Sequence, residues 1–184
     1  MSVKKKTSGR RSVKVETEVP GSTQSAVARR SAEAELRTVI AKFAPAYLRH
    51  IGAMRRCLRK RLPTACEIVY EYRNLGAVVI SFSPNEHGYE GVLAIRASAD
   101  GVKLYFNSGK ELPDPEGLLQ GSGKQTRSIQ LEGASTLARP AVARLIEEAI
   151  AHNRVPFALA GRGPVVVRSA SAKQRPRRKT PSAN

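Results

Sequence analysis

The sequence contains no tryptophan, two cysteines and three histidines, which argues against several kinds of functional site. Cys57 and Cys66 alone cannot form a disulfide framework or supply the four ligands of a structural zinc site. His50, His87 and His152 lie far apart, without the i, i+4 spacing of a metal-binding helix. We therefore expect no metal site and no bound cofactor, and thiols that stay reduced in a cytoplasmic protein.

Long apolar runs are also missing from the chain. No segment approaches the roughly 18 apolar residues of a membrane-spanning helix, and the charged start is not followed by the apolar stretch of a secretory signal. We therefore expect no membrane partner. The 184 residues are 41% hydrophobic, which suits one compact domain with tails.

Acidic residues are scarce: 15 Asp and Glu stand against 32 Lys and Arg, for a formal net charge of +17. The excess is uneven, because residues 1–30 carry +6, residues 31–60 carry +5 and residues 161–184 carry +7. Such clustering is typical of surfaces that meet a polyanion, although basic tails also serve solubility alone.

The first third of the chain predicts a tail followed by two helices. Residues 1–30 are basic, polar and without periodicity, which predicts a disordered basic tail. Helical spacing of apolar residues begins after Ser31, a candidate N-cap. Pro45 and Pro63 divide and end this helical region.

Alternating apolar residues then predict a series of short strands between residues 67 and 107. Two of these strands are joined at Asp100-Gly101, a pair that favours a two-residue type I′ hairpin with positive φ at both positions. A strand around Ile129, a helix opened by Pro140 and a last strand around residues 165–167 follow.

This order of elements predicts a two-layer α+β fold. We expect an antiparallel sheet of five to six strands, with two N-terminal helices and one late helix packed on it. The domain is predicted to span residues 31–170, and residues 171–184 to form a basic C-terminal tail.

No catalytic constellation is recognisable in the sequence. There is no G-x-S-x-G nucleophile elbow. The glycine-rich segment that ends at Lys124 departs from the phosphate-binding P-loop, since Leu118 stands where that motif needs glycine and Gln125 where it needs Ser or Thr. We therefore favour a non-enzymatic binding module, with an enzyme of unrecognised pattern as an alternative.

The same segment predicts a looser anion site. Gly121 and Gly123 permit backbone geometries in which successive amides converge, and Lys124 and Arg127 bring positive charge beside them. The alternative is a glycine turn with two solvated cations.

A cluster of like charges closes the second predicted helix, at Arg55, Arg56, Arg59 and Lys60. Like charges at i, i+4 destabilise an isolated helix, and the helix dipole offsets only part of that cost. The rest could come from acids such as Glu67 or Glu71, or from an anionic partner. These four residues are predicted nucleic-acid contacts.

Arg177 and Arg178 in the C-terminal tail are further predicted nucleic-acid contacts. Because only Tyr105 is expected as an exposed ring on a strand, base stacking is not predicted, and binding should depend on charge with little sequence choice.

Several segments together resemble the YdhG-like family, a bacterial family of small domains of unknown function. They are Glu67-Ile68-Val69-Tyr70, the block PDPEGLLQGSGK at residues 113–124, the strand at 127–131, the helix start at 139–142 and the stretch at 171–178. The resemblance runs from about residue 33 to about residue 178. It implies a two-layer α+β domain and makes the basic residues of the last segment part of the domain pattern.

One branch of that family is described as a frataxin-like iron chaperone, a role that depends on exposed carboxylates. Here the neighbouring acids Asp114 and Glu116 lie in a loop with prolines beside them, in a strongly cationic chain, so we keep iron handling only as the alternative function. The leading hypothesis is a module that binds nucleic acid or a phosphorylated ligand. In it, Lys173 and Arg175 approach Lys124 and hold one anion together with the glycine loop.

Overall fold

The computed structural model describes residues 24–169, which form three α-helices and six β-strands. The helices are α1 (Ala26–Phe43), α2 (Leu48–Arg61) and α3 (Pro140–Ala151). The strands are β1 (Cys66–Tyr72), β2 (Ala77–Ser83), β3 (Leu93–Ser98), β4 (Gly101–Phe106), β5 (Arg127–Gln130) and β6 (Val165–Ser169). The predicted α+β class, with two early helices and one late helix, is confirmed.

The six strands form one sheet in the order β5-β4-β3-β2-β1-β6. Strands β1 to β5 pair antiparallel with their neighbours, as predicted. Strand β6 differs, because it pairs parallel with β1. A parallel pairing needs a long connection, and the chain reaches β6 only after leaving β5 on the opposite edge and passing through α3.

The core lies between one face of the sheet and the helices. Alternate strand residues point to this face, including Val69, Ile80 and Leu104, each 0% exposed. The apolar stripes of the helices meet them through Leu36, Ile40, Met54, Leu58, Leu145 and Ile146. Each helix therefore leaves its polar face outward.

The first helix begins earlier than the sequence predicts. Ser25, not Ser31, is its N-cap and accepts a hydrogen bond of 3.2 Å from the backbone N–H of Ala28. Gln24 exchanges two hydrogen bonds with the backbone of Val165, at 2.8 and 3.0 Å. The domain boundary at residue 31 is therefore wrong, since residues from Gln24 onward are tied to β6. Residues 1–23 and 170–184 lie outside the described residues, and they include the remainder of the predicted N-terminal tail and all of the predicted C-terminal tail.

The hairpin between β3 and β4 is present, but its turn differs from the predicted type I′. Ser98 pairs with Gly101, so the two loop residues are Ala99 and Asp100. Neither has a positive φ, whereas Gly101 has a φ of 124°. Gly101 therefore takes the unusual backbone conformation just after the turn, which glycine adopts readily because it has no Cβ atom.

Across residues 24–169 we find no helix with the length and apolar character needed to cross a membrane.

Candidate functional site

Four charged side chains join α1, α2 and β1 in one network, in which Arg55 and Glu67 are buried and Arg59 and Glu33 are half-buried. The guanidinium of Arg55 donates from Nε to Oε2 of Glu67 at 2.7 Å and from Nη1 to Oε2 of Glu33 at 2.9 Å. Arg59 donates from Nη2 to Oε1 of Glu33 at 2.6 Å and from Nε to Oε1 of Glu67. Two arginines thus share two glutamates, and each carboxylate oxygen has a charged donor.

The network fixes the ionisation of Glu33 and Arg55. Burial alone would raise the pKa of Glu33, but hydrogen bonds and charges from Arg55 and Arg59 outweigh it and lower that pKa to about 2. Burial would likewise lower the pKa of Arg55, and the charges of Glu67 and Glu33 raise it instead. Glu33 and Arg55 are therefore charged at neutral pH.

This arrangement decides which predicted nucleic-acid contacts can meet a partner. Arg55 is only 8% exposed and is wholly engaged by carboxylates, so it is not a surface contact. Arg59 is half-buried and engaged by the same acids. Arg56 and Lys60 are exposed and form no ion pair with another residue of the described chain. Of the two acids that the sequence offered as compensation, Glu67 pairs with Arg55 and Arg59, together with Glu33, whereas Glu71 pairs with Lys42 and Arg73.

A groove of about 600 Å³ runs between α1 and α2 directly above this network. Five arginines and one glutamate contribute its charged lining. Arg37 on α1 and Arg49 and Arg56 on α2 are exposed. None of the three pairs with an acidic side chain within residues 24–169. Gly52 of α2 also lines the groove, next to the guanidinium of Arg56.

Arg37 and Arg49 were not predicted, although the sequence carries a signal for both. Arg49 and Arg56 are seven residues apart, two helical turns, and therefore lie on the same face of α2. Arg37 follows Glu33 by one turn of α1, which places it above the carboxylate that binds Arg55 and Arg59. What the sequence does not indicate is that these two helix faces oppose each other.

Positive charge continues beyond Arg59. A second cavity, of about 280 Å³, lies between Arg59 and the Gly161-Arg162-Gly163 segment. Arg29 reaches this segment and donates from Nη2 to the carbonyl of Gly163 at 2.6 Å. Burial, and then the charges of Arg162 and Arg59, lower the pKa of Arg29. The arginines around Glu33 and Glu67 therefore outnumber these two carboxylates.

The predicted anion site in the glycine loop has a different geometry from the expected one. Nη1 of Arg127 donates to the carbonyls of Gly123 and Thr126 at 2.7 and 2.9 Å, so it holds the loop's own backbone. Gly121 has a φ of 122°, and Lys124 is exposed. These contacts favour the alternative, a glycine turn that leads into β5.

The sheet topology also bears on the shared site with Lys173 and Arg175. Strand β5 follows the glycine loop on one edge, and β6 ends at Ser169 on the other edge. Five strand spacings of about 4.8 Å separate them, roughly 24 Å. Lys173 and Arg175 lie outside the described residues, as do the predicted contacts Arg177 and Arg178, so their roles stay predictions.

The acids of the predicted loop have local partners. Asp114 accepts hydrogen bonds from the backbone N–H groups of Leu118 and Leu119 at 2.9 and 2.7 Å. Glu116 pairs with Arg144 at 3.0 Å. Within the described part of the chain, we find no group of three or more His, Cys, Asp or Glu side chains that could hold a metal ion.

Comparisons with protein-family models, with curated proteins and with solved structures found no match to this chain. The resemblance to YdhG-like domains therefore stays a prediction.

Proposed function

We propose that this protein is a non-enzymatic module that binds nucleic acid through the groove between α1 and α2. The observation that carries the proposal is the set of three exposed arginines on that groove, Arg37, Arg49 and Arg56, which have no acidic partner within residues 24–169. Unpaired guanidinium groups that face one another across a groove repel, and a chain of phosphates between them removes the repulsion.

The form of the groove supports a polymeric partner over a single small anion. It is open and about 600 Å³ in volume, and its arginines are spread over two helices. A phosphate backbone can contact all of them at once and releases its condensed counterions in doing so. The formal net charge of +17 adds long-range attraction, so binding is fast, salt-dependent and tolerant of sequence.

The buried network has a positioning role in this proposal. By joining Glu33 of α1 and Glu67 of β1, Arg55 and Arg59 fix the two helices on the sheet. Arg56 follows Arg55 by one position, Arg37 follows Glu33 by one turn and Arg49 lies on the same helix as both anchoring arginines, so the spacing across the groove depends on the network. Of the four predicted contacts on α2, Arg55 and Arg59 therefore hold the structure and Arg56 contacts the nucleic acid, whereas Lys60 is exposed outside the groove lining.

The test is binding of a short DNA duplex, measured by fluorescence anisotropy over a range of salt. The variant R37Q/R49Q/R56Q should weaken binding at physiological salt by roughly tenfold or more and lower the slope of log K against log salt by about 2 to 3. The matched control is R139Q/R144Q/R154Q, which removes three exposed arginines elsewhere. An equal loss in both variants would reduce the function to net charge and contradict the proposal.

The same proteins test the alternative. We also propose, from the PDPEGLLQGSGK block, that the chain is a YdhG-like domain, and the frataxin-like branch would then bind iron. If the alternative is right, the protein should bind ferrous iron in a titration, and R37Q/R49Q/R56Q should bind it equally well. If the groove is the nucleic-acid site, ferrous iron should not displace the bound duplex.

A further inference from the structure

The face of the sheet opposite the helices is only half covered. The loop at residues 84–90 lies over one half, where Gly88 packs against Oη of Tyr70 and Cδ1 of Ile68. Arg168 of β6 holds this loop by donating to the carbonyls of Glu86 and His87. The other half of this face has no covering element within the described residues.

A groove of about 290 Å³ occupies the uncovered half and crosses β1 to β4. Tyr72 of β1 and Tyr105 of β4 are half-buried and stand at its sides. Its floor is made of small residues on the strands between them, Ala77, Val79 and Ala94. Small residues between two rings leave flat, apolar space in which a planar group can lie against an aromatic side chain.

Two cations accompany the rings on the same face. Arg96 of β3 lines the groove, and Lys103 of β4 is its direct cross-strand partner. Like charges at directly opposite positions destabilise a sheet. Neither side chain pairs with an acid within residues 24–169. An anionic ligand over this pair would relieve the repulsion.

We infer that this sheet face binds single-stranded nucleic acid, with bases stacked on Tyr72 and Tyr105 and the phosphate backbone beside Arg96 and Lys103. Solvent-accessible rings beside cations on an open sheet face are the features with which proteins hold unpaired bases, and the half-buried Tyr72 and Tyr105 keep part of each ring accessible. A duplex keeps its bases stacked inside and cannot use the rings. The sequence did not predict this surface, because only the pairing of β1 to β4 brings Tyr72 onto the face that carries Tyr105.

This inference rests on the proposed function and deepens it, since it names single strands as the preferred partner. The two surfaces lie on opposite sides of the sheet, so variants can separate them. The groove between the helices should contribute to duplex and single strand alike. The rings should contribute to the single strand alone.

The experiment compares fluorescein-labelled oligothymidine of about ten nucleotides with a DNA duplex of the same length, using the full chain at physiological salt. The variant Y72L/Y105L should lose at least about tenfold in affinity for oligothymidine, with duplex affinity unchanged. Y72F/Y105F, which keeps the rings, should bind like the parent. The matched control is Y89L, which removes a tyrosine that is 95% exposed and outside the groove.

A second variant, R96Q/K103Q, leaves both rings in place and should also weaken oligothymidine binding, which keeps the test decisive if the leucine variant does not fold. Unchanged oligothymidine affinity in Y72L/Y105L or in R96Q/K103Q would overturn the inference, and the groove would then suit an apolar partner such as a peptide. Duplex binding by R37Q/R49Q/R56Q is a separate result. If that variant binds the duplex as well as the parent does, the proposed function is contradicted, while the ring variants still test the sheet face.

Discussion

Arg55 of α2 and Glu67 of β1 form an ion pair inside the domain, with Nε 2.7 Å from Oε2 and side-chain exposures of 9% and 3%. The pair fixes the second helix on the sheet. Because both groups are nearly withdrawn from water, neither is stable there without the other. The position of α2, and with it the spacing of the exposed arginines, depends on this contact.

Replacing Glu67 by glutamine should therefore destabilise the protein strongly. The substitution leaves the partly exposed Glu33 as the remaining carboxylate partner of Arg55 and Arg59, and breaking a buried pair costs up to about 3–5 kcal/mol. Urea unfolding at pH 7 measures the change. Glu132→Gln is the control, since its pair with Arg139 is exposed and contributes at most about 1 kcal/mol. Equal effects of the two substitutions would contradict a structural role for the network.

Stability should fall as the pH is lowered from about 5 toward 2. The pKa of Glu33 is lowered to about 2 from its ordinary value of 4.5, and hydrogen bonding to Lys42 lowers the pKa of Glu71. A carboxyl whose pKa is lower in the folded state stabilises the fold above the unfolded value, and that contribution is lost as the pH falls through the folded value.

Urea unfolding at pH 7, 5, 4 and 3 measures this dependence. Glu33→Gln should make the decline less steep, because it removes one of the groups that binds a proton on unfolding. The control Glu132→Gln changes an exposed carboxylate outside the network. A free energy of unfolding that stays constant between pH 5 and pH 3 would show that these carboxylates are not held ionised by their partners.

A chain that begins at residue 31 should be less stable than one that begins at residue 24. The shorter chain lacks the Ser25 N-cap, the two bonds between Gln24 and Val165 and the bond from Arg29 to Gly163. An N-cap contributes about 1 kcal/mol and each net hydrogen bond a similar amount, so we expect a loss of about 2–4 kcal/mol.

Thermal and urea unfolding of the two truncated chains measure this difference. Gln24→Ala in the full chain should show part of the loss without any truncation. If both truncated chains unfold at the same urea concentration, the boundary at residue 31 is restored.

The two cysteines should react at different rates with iodoacetamide at pH 8. Cys66 is 5% exposed, and burial, followed by the negative charge of Glu86, raises the pKa of its thiol to about 11. Since the thiolate is the reactive form, Cys66 should stay unmodified in the folded protein while the half-buried Cys57 is alkylated. Mass spectrometry of peptides gives the two rates, with urea-unfolded protein as the control. Faster labelling of Cys66 would contradict its placement on β1.

The sequence allowed prediction of most elements because their signals are local. The apolar stripe that includes Met54 and Leu58 and the proline at residue 140 define helices without reference to the rest of the chain. The parallel pairing of β6 is not local. Nothing in its run of valines distinguishes β1 from another edge strand as its neighbour.

The start of α1 and the ion-pair partners of Arg55 could not be predicted fully either, because both depend on contacts between residues distant in sequence. Ser25 and Ser31 are equally good N-caps by residue type, and contacts of Gln24 and Arg29 with the distant β6 segment decide between them. Glu67 was expected as one possible partner of the basic cluster, whereas Glu33 lies 22 residues before Arg55 on another helix. The positions of both acids decide which arginines are engaged in ion pairs and which line the groove without an acidic partner.

The most direct test of the central claim is an NMR titration of the isotope-labelled protein with a short DNA duplex at physiological salt. We expect the largest shift changes at the backbone amides and arginine side chains of α1 and α2 around Arg37, Arg49 and Arg56, with the amides of α3 unchanged. Shift changes confined to α3, or to residues outside 24–169, would contradict the assignment of the groove between α1 and α2 as the nucleic-acid site.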